Sequence, residues 1–503
     1  MLFPLIELAQ TKMISRVQRK SRRARELIQQ RNWHEVVKRA GENLDPVAVP
    51  VSHTAALVRD IVTHTYWKGQ ERLGLTPFNS VQPFSIVSET GMRRKNVIWV
   101  MLDALRQDLF QEYLRRGGLA ALNANAVNFA RAFAQGSWTY ASVFSFLTGL
   151  YPFNCGVSRI TARDGQVVSV CGDFQESAQT IFDILNRHGY TVGSILDGWG
   201  FTIRETAGQV HREDHYFEEH WGWRYGQGRR YIPLPELCDA SLAFTEDASS
   251  RGPFMLFVRT LYTHSPYRGI FQDADTVIDW SANGSVFRLV EGFVRGLEQF
   301  ETIYLAPLLK GLEEQGQLQD TILILHSDHG EMLWNLEEDL RRDNTDKEAW
   351  RHQLEPYNAL IKVPLWIWNS QLRGVYPGRF RLMDLVPTLL DELGISYQAN
   401  AFDGVSARAA APRPIYADAA GYGHGGIALQ PNGTKYMISK RLGAVEYGIG
   451  EDEYERVELR RQSDRVINEL TTFLQAHRRQ EDELTADNEE ILLKRLQALG
   501  YVE

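Results

Sequence analysis

From Asn96 onward, the chain alternates short apolar runs with stretches of helical periodicity. The five apolar runs are VIWVML (97–102), TVGSIL (191–196), FMLFV (254–258), TILIL (321–325) and VPLWIW (363–368). Residues 177–189 and the stretch before Gly316 have helix-like patterns, with Gly189 and Gly316 where C-terminal caps are expected. This alternation predicts an α/β fold with a mostly parallel central sheet sandwiched by helices. In such sheets ligands bind at the carboxyl ends of strands, so the chemistry is expected directly after each run.

Changes of pattern divide the chain into three parts. Residues 1–92 precede the first apolar run and are predicted to form a helical N-terminal extension. Residues 93–405 hold all five runs and are predicted to form the α/β domain. Residues 406–503 are predicted to form a small C-terminal α+β subdomain, with short antiparallel strands over 434–447 and a last helix that ends before Gly500.

Composition and charge exclude several classes of protein. The 503 residues are 44% hydrophobic and 23% charged, which excludes a mainly disordered, collagen-like or coiled-coil chain. The net charge of −8 gives no global basic field, and no nucleic-acid partner is expected. Residues 1–40 are locally basic, with ten Lys and Arg against three Glu. This favours a solvated helix that packs on the body or on a second subunit of a homo-oligomer; docking to an anionic polymer or membrane is the alternative.

The sequence also indicates a compartment. No run of about 18 apolar residues is present, so no transmembrane helix is expected, and the first residues lack the features of a signal peptide. Three cysteines cannot all pair within one chain, which favours a reducing environment. We therefore expect a cytoplasmic protein, with peripheral membrane association as the alternative.

Polar side chains follow three of the apolar runs. Asp103 comes directly after the first run, Arg259 and His264 after the third, and Asp328 and His329 after the fourth. A lone Asp after a strand is as easily a helix cap as a ligand. A carboxylate beside an imidazole on a tight, glycine-ended turn indicates a cation site. Carboxylate oxygen suits hard cations, and imidazole widens the choice toward Mn²⁺ or Zn²⁺.

A fourth polar segment precedes a predicted helix of small residues that ends at Gly149. Ser137 or Thr139 at the start of this helix could be an ordinary N-cap. The functional alternative makes the same hydroxyl a nucleophile, beside backbone N–H groups and the positive end of the helix dipole. A hydroxyl needs activation, which a coordinated metal ion supplies.

Five segments in this order resemble the sulfatase branch of the alkaline-phosphatase superfamily, which includes phosphonate monoester hydrolases, phosphodiesterases and phosphoglycerol transferases. They are NVIWVMLDALRQD (96–108), SWTYASVFSFLTGLYP (137–152), THSPY (263–267), TILILHSDHGE (321–331) and HQLEPYNALIKVPL (352–365). The resemblance covers roughly residues 95–400. It implies an alkaline-phosphatase-like fold and a metal-dependent hydrolase that acts on ester bonds.

The resemblance also assigns roles to individual residues. The metal ligands that it implies are Asp103, Thr139, Asp328 and His329. The nucleophile of the family lies ten residues before the glycine that ends its helix, which is Thr139 here. His264 matches a histidine that contacts the substrate, and His352 matches a position that often lines the anion pocket. Both histidines are expected to take part in catalysis and in substrate binding.

The chain departs from the sulfatase pattern at the nucleophile. Sulfatases use C/S-x-P-x-R, whose Cys or Ser becomes formylglycine, whereas residues 139–143 here read TYASV. No formylglycine is therefore expected. The sequence around Cys155 and Arg159 has the Cys and Arg of that pattern but lacks the proline and follows the helix. Ala104 replaces a second aspartate of sulfatases, so one divalent ion is expected, either Mn, Ca, Mg or Zn.

A threonine ester restricts how the reaction ends. A formylglycine hydrate expels sulfate by breaking its own C–O bond, whereas a threonine ester must be attacked again at its central atom. This favours phosphodiesters or phosphonate esters, small or polymer-linked, over sulfate esters. The alternatives are a phosphoryl-group transferase (phosphoglycerol or phosphoethanolamine type) acting on a glycan or lipid, a sulfuric ester hydrolase, and a non-catalytic scaffold.

Overall fold

The computed structural model describes only part of the chain. The described residues are 83–87, 95–155, 159–161, 167–169, 179–196, 232–264, 267, 269–271, 286–333, 352, 356–398, 400–409, 411–418, 425–439, 443–448, 458–459 and 464–478. All of them belong to a unit that spans residues 67–503. The predicted basic helix of the N-terminal extension and the predicted last helix before Gly500 lie outside the described residues. No described helix has the length and apolar character needed to cross a membrane.

The strands and helices are numbered in chain order. The strands are β1 Ser85–Ile86, β2 Asn96–Leu102, β3 Ala126–Asn128, β4 Ala132–Phe133, β5 Arg159–Thr161, β6 Val167–Ser169, β7 Thr191–Leu196, β8 Phe254–Thr260, β9 Thr321–His326, β10 Lys362–Val363, β11 Leu365–Trp368, β12 Leu372–Val375, β13 Phe380–Arg381, β14 Ile415–Asp418, β15 Gly426–Leu429, β16 Thr434–Ser439, β17 Gly443–Gly448 and β18 Glu458–Leu459. The α-helices are α1 Gln107–Arg115, α2 Thr139–Thr148, α3 Ile181–Arg187, α4 Leu234–Ser249, α5 Val286–Phe300, α6 Ala306–Glu314, α7 Asn358–Ile361, α8 Leu385–Glu392 and α9 Asp464–Arg478. A π-helical turn, Glu301–Leu305, joins α5 to α6.

The central sheet has the strand order β1-β12-β3-β11-β9-β2-β8-β7. β7, β8, β2 and β9 are parallel, and every residue of β2, β8 and β9 is buried, as the continuous apolar runs predict. The last predicted run, β11, is antiparallel to β9, with Leu365 opposite His326. β11 therefore begins at the edge of the sheet where β9 ends and runs in the opposite direction. The mostly parallel α/β prediction is confirmed, with a mixed half beyond β9.

Helices cover both faces of this sheet. Alternate residues of β2 face opposite sides, as the pleat of a strand requires: Ile98 and Val100 belong to one apolar cluster, Val97 and Trp99 to the other. The first cluster includes residues of α1, α4, α5 and α6, and the second includes residues of α2, α3 and α8. The predicted sandwich of helices around the sheet is therefore confirmed.

Glycines end the helices where the sequence predicts. Gly189 follows α3 with φ +80°, and Gly316 follows α6 with φ +70°. Gly149 ends α2 with φ +70°. This left-handed conformation is open to glycine without the Cβ clash that other residues meet, so each glycine is suited to end its helix.

A second sheet, β14-β15-β16-β17-β18, is antiparallel and confirms the short strands predicted near 434–447. Helix α9 lies against β15 and β16. Apolar packing and hydrogen bonds join this sheet to the α/β part. The Asp418 N–H donates to the Gln135 carbonyl at 3.2 Å, and the buried Lys435 ammonium donates to the Pro356 carbonyl at 2.6 Å and to Asn358 Oδ1 at 3.1 Å.

One buried histidine fixes the last residue of β9. His326 Nε2 accepts a hydrogen bond from Trp99 Nε1 at 2.6 Å, and its Nδ1–H donates to the Ser327 carbonyl at 3.0 Å. The Phe146 ring meets the imidazole edge-on, with centroids 4.7 Å apart. Burial lowers the pKa of His326 to about 3. The imidazole is therefore neutral at ordinary pH and joins β9 to β2 through a polar contact inside the sheet.

The buried imidazole makes the protein sensitive to acid. An unfolded histidine titrates near pH 6.5, so between pH 6.5 and about 3 the unfolded chain binds a proton that folded His326 does not. Stability therefore falls as the pH falls, by about 1 kcal/mol per pH unit for this one group. His326→Gln removes this proton, so its free energy of unfolding should fall less between pH 6.5 and 4.5 than that of the wild type. Urea titrations measure both slopes, and equal slopes would contradict the prediction.

Candidate metal centre

Two neighbouring parallel strands bring the predicted carboxylates together. β2 and β9 are in register with Met101 opposite His326, so both strands end at the same edge of the sheet. Asp103 comes directly after β2, and Asp328 comes two residues after β9. Both side chains are fully buried. Helix α1 begins only at Gln107, with Arg106 as its N-cap, so the alternative of Asp103 as a helix cap is wrong.

Local hydrogen bonds set the bend that follows β9. Ser327 Oγ accepts from the Leu105 N–H at 2.9 Å and donates to the His329 carbonyl at 2.7 Å. Asp328 Oδ1 accepts the N–H groups of His329 and Ala104 at 2.9 Å and 3.2 Å. These bonds hold Asp328 Oδ1 in the turn, whereas Oδ2 takes no part in them.

Three donor atoms converge on one point. Asp103, Asp328 and His329 each offer one ligand atom, and these three atoms lie within 4.8 Å of one another. His329 Nε2 faces Asp103 Oδ1 and Asp328 Oδ2. His329 Nε2 is 3.6 Å from the first oxygen and 3.5 Å from the second. Ligands about 2.0–2.5 Å from one shared ion are separated by about 3–4 Å, so these distances fit a single cation.

The hydrogen bonding of the same atoms also fits a cation. Asp103 Oδ1 and Asp328 Oδ2 are buried without a hydrogen-bond partner among the described residues. Buried carboxylate oxygens left in this state are costly unless a positive charge compensates them. His329 Nδ1–H donates to the Gly330 carbonyl at 2.7 Å, which leaves the lone pair on Nε2. Two oxygens and one imidazole nitrogen suit a divalent cation.

Burial and neighbouring charges shift the pKa values of both carboxylates and of His329. Burial raises the pKa of Asp103, but His264, Arg259 and His329 outweigh it and hold that pKa well below its usual range. Burial and the charge of Asp103 raise the pKa of Asp328. Burial lowers the pKa of His329, yet the two carboxylates outweigh it and raise that pKa. The two carboxylates thus favour a positive charge on the neighbouring imidazole of His329.

Thr139 is the first residue of α2 and is only half-buried. Its Oγ1 lies 3.2 Å from His329 Nε2. Ser142, one turn further along α2, donates from Oγ to the Asp328 carbonyl at 2.6 Å and so joins this helix to the turn that follows β9. The N-cap is Trp138, so the alternative in which Ser137 or Thr139 is the N-cap is wrong.

The two remaining predicted residues lie beside these groups. His264 Nε2 is 4.0 Å from Asp103 Oδ1. The His352 ring is 4.3 Å from the His329 ring and 5.0 Å from the His264 ring, measured between centroids. All six predicted site residues are thus brought together, although their roles stay predictions.

Sequence reasoning assigned no role to three residues of this cluster. Arg259 donates from Nη2 and Nε to Asp103 Oδ2 at 2.7 Å and 3.1 Å. Glu331 Oε1 is 2.9 Å from His352 Nδ1, and its Oε2 accepts from the Tyr267 hydroxyl at 2.8 Å. Each comes after an apolar run of the sequence: Arg259 directly follows 254–258 and lies inside β8, Tyr267 follows β8, and Glu331 follows β9. That position was the one available signal, because their partners are distant in sequence.

The comparisons with known proteins agree with this architecture. The family model described as Sulfatase matches residues 95–395. The chain is 22% identical over 442 residues to an arylsulfatase of Clostridium perfringens, covering 72% of this chain and 87% of the relative.

Solved structures share the fold. A phosphonate monoester hydrolase of Agrobacterium radiobacter has a TM-score of 0.50 at 14% identity, covering 81% of this chain and 96% of its own. A protein solved with its substrate D-glucosamine-2-N,6-O-disulfate has a TM-score of 0.51 at 14% identity, covering 78% and 100%. The match of the family model covers more than half of the sequence. The chain therefore belongs to the sulfatase family, whose members hydrolyse ester bonds.

Proposed function

We propose that the chain cleaves anionic esters through a covalent ester on Thr139. The observation that supports this most directly is the distance of 3.2 Å between Thr139 Oγ1 and His329 Nε2, within a cluster that includes two buried carboxylates. Asp103, Asp328 and His329 would hold one divalent ion, with Thr139 as a fourth ligand. Such an ion, when bound, lowers the pKa of a coordinated hydroxyl and offsets negative charge on the ester.

The residues of the chain supply the remaining chemistry. Thr139 Oγ1 loses its proton to water, attacks the phosphorus of the ester and forms a new P–O bond while the bond to the leaving oxygen breaks. Backbone N–H groups at the start of α2 face developing negative charge, because the first turn of a helix has no internal acceptors. His264 or His352 donates a proton to the leaving oxygen. Water then attacks the same phosphorus and gives a proton back to that histidine, while the P–O bond to Thr139 breaks and its oxygen takes a proton from solvent.

Threonine favours phosphorus over sulfur as the central atom. It cannot form the aldehyde hydrate that lets a sulfatase break its own C–O bond, so the second attack also occurs at the central atom. Ala141 and Val143 replace the proline and arginine of the formylglycine pattern. Phosphodiesters or phosphonate esters are therefore the proposed substrates, with no formylglycine and one metal ion, either Mn, Ca, Mg or Zn.

Sulfate ester hydrolysis is the second candidate, and the likeness to an arylsulfatase over 442 residues favours it. Transfer of the phosphoryl group to an alcohol of a glycan or lipid is the third, because an acceptor hydroxyl can replace water in the second attack. A non-catalytic scaffold is disfavoured because every predicted ligand position is filled. A cytoplasmic location and homo-oligomerisation through residues 1–92 remain predictions from the sequence.

A panel of substrates separates these candidates. We expect bis-p-nitrophenyl phosphate and a p-nitrophenyl phenylphosphonate to be hydrolysed at least about tenfold faster, in kcat/KM, than p-nitrophenyl sulfate. Release of p-nitrophenolate is followed by absorbance with each of the four cations in turn. Turnover of the sulfate ester alone would overturn the preference for phosphorus, and products formed with added glycerol would favour the transferase.

Removal of the nucleophile should nearly abolish turnover. Thr139→Ala is expected to lower kcat/KM by at least about a thousandfold, whereas Thr139→Ser retains a hydroxyl and keeps measurable activity. Thr302→Ala, on an exposed turn, is the control and should be unaffected. Mass spectrometry of protein quenched during turnover should locate the covalent adduct on residue 139. Full activity of Thr139→Ala would exclude the mechanism.

Metal binding is measured without substrate. The wild type should bind one equivalent of divalent cation by elemental analysis, and saturating cation should raise its Tm by a few °C through mass action. Asp328→Asn should lose most of this shift, because it removes a buried ligand charge. Asp320→Asn, in the turn before the other end of β9, is the matched control and should keep it. A second equivalent, or an unchanged shift in Asp328→Asn, would contradict the proposed site.

A further inference from the structure

Glu331 is a buried carboxylate beside the candidate metal centre, and it is not one of the proposed metal ligands. Glu331 is 1% exposed and follows His329 by two residues. Its Oε1 lies 2.9 Å from His352 Nδ1, and its Oε2 accepts the Tyr267 hydroxyl at 2.8 Å. Arg106 Nη1 donates to its backbone carbonyl at 2.9 Å. Both the backbone and the carboxylate of Glu331 are therefore fixed.

The second partner of this carboxylate is itself constrained. Tyr267 is fully buried and has φ +59°, a left-handed conformation that is rare for a residue with a large side chain. Its N–H donates to the His264 carbonyl at 2.7 Å, so the turn that presents His264 also presents this phenol. Strained backbone of this kind persists where surrounding contacts hold it, and it is concentrated at functional sites. Glu331 is one of those contacts.

The hydrogen bond to Glu331 determines what His352 can do. Nδ1 is used by the carboxylate, so any contact of this ring with an ester passes through Nε2. The ring is 3% exposed and lies beside the rings of His329 and His264. A histidine held by a carboxylate at one nitrogen has a fixed ring orientation and tautomer.

We propose that Glu331 is a positioning residue that holds His352 through Nδ1, so that Nε2 meets the leaving oxygen of an ester bound at Thr139. This inference rests on the proposed function. It assigns His352 to the leaving oxygen, which leaves His264, 4.0 Å from Asp103, on the metal side of the ester. The alternative is that Glu331 is only a structural brace between two turns.

Kinetics of a double-variant cycle distinguish these two roles. Glu331→Gln should lower kcat about ten- to a hundredfold and change KM by less than about threefold. The loss should be larger for a phenol leaving group than for p-nitrophenol, which needs less stabilisation. In a His352→Asn background, Glu331→Gln should cause no further loss beyond about twofold, because its effect passes through His352. A further tenfold loss in that background would overturn the proposal.

Two variants control for stability. Glu392→Gln removes another buried carboxylate, which accepts from the Gln371 N–H and from Arg408, and should leave kcat and the leaving-group dependence unchanged. Tyr267→Phe keeps the Glu331 carboxylate but removes one of its anchors. It should cause a smaller loss with the same leaving-group dependence, and it supplies the test if Glu331→Gln does not fold. Equal losses for both leaving groups would show a structural brace.

A spectroscopic readout needs no substrate. In protein labelled with ¹⁵N-histidine, the Nδ1 proton of His352 should give a downfield resonance because it is held by a carboxylate. This resonance should disappear in His352→Asn and shift or disappear in Glu331→Gln, but persist in Glu392→Gln. An unchanged resonance in Glu331→Gln would overturn the positioning role. If no ester is turned over by any variant, the proposed function fails, while this measurement still shows whether Glu331 holds the Nδ1 proton of His352.

Discussion

The burial of two carboxylates at one edge of the central sheet is the constraint on which the rest of the site depends. Asp103 and Asp328 are both removed from water, and like charges at close range in a protein interior are costly unless they are compensated. Arg259 donates hydrogen bonds to one oxygen of Asp103, and backbone N–H groups donate to one oxygen of Asp328. The two oxygens that remain point at His329. The residual negative charge is what suits this cluster to a cation.

The fold holds Asp103, Asp328 and Thr139 in fixed positions relative to one another. Parallel pairing of β2 with β9 determines that Asp103 and Asp328 emerge side by side. The bond from Ser142 to the Asp328 carbonyl then fixes α2 against the same turn, so the hydroxyl of Thr139 and the carboxylates cannot move independently. Preorganisation of this kind is what lets charged groups stabilise a transition state without reorganising at the moment of reaction.

Much of this could be predicted from the sequence, because the signals are local. Continuous apolar runs predict buried strands, glycines predict helix ends, and the rule that ligands follow strands identifies Asp103 and the pair at 328 and 329. The direction of β11 could not be predicted, since an apolar run is the same whichever way it points. The partners of Arg259 and Glu331 could not be predicted either. Arg259 is 156 residues from Asp103, and such a pair exists only once the sheet has formed.

The C-terminal sheet has a consequence for how the protein is made. The last residue of its first strand donates a backbone hydrogen bond to Gln135, four residues before Thr139. The Lys435 ammonium donates to Pro356 and to Asn358, the latter 77 residues earlier in the chain. During synthesis, the segments around these acceptors emerge from the ribosome long before their donor does. These contacts of Gln135, Pro356 and Asn358 therefore form only after their donors have been synthesised, and a nascent chain that stalls earlier exposes polar groups that the folded protein buries.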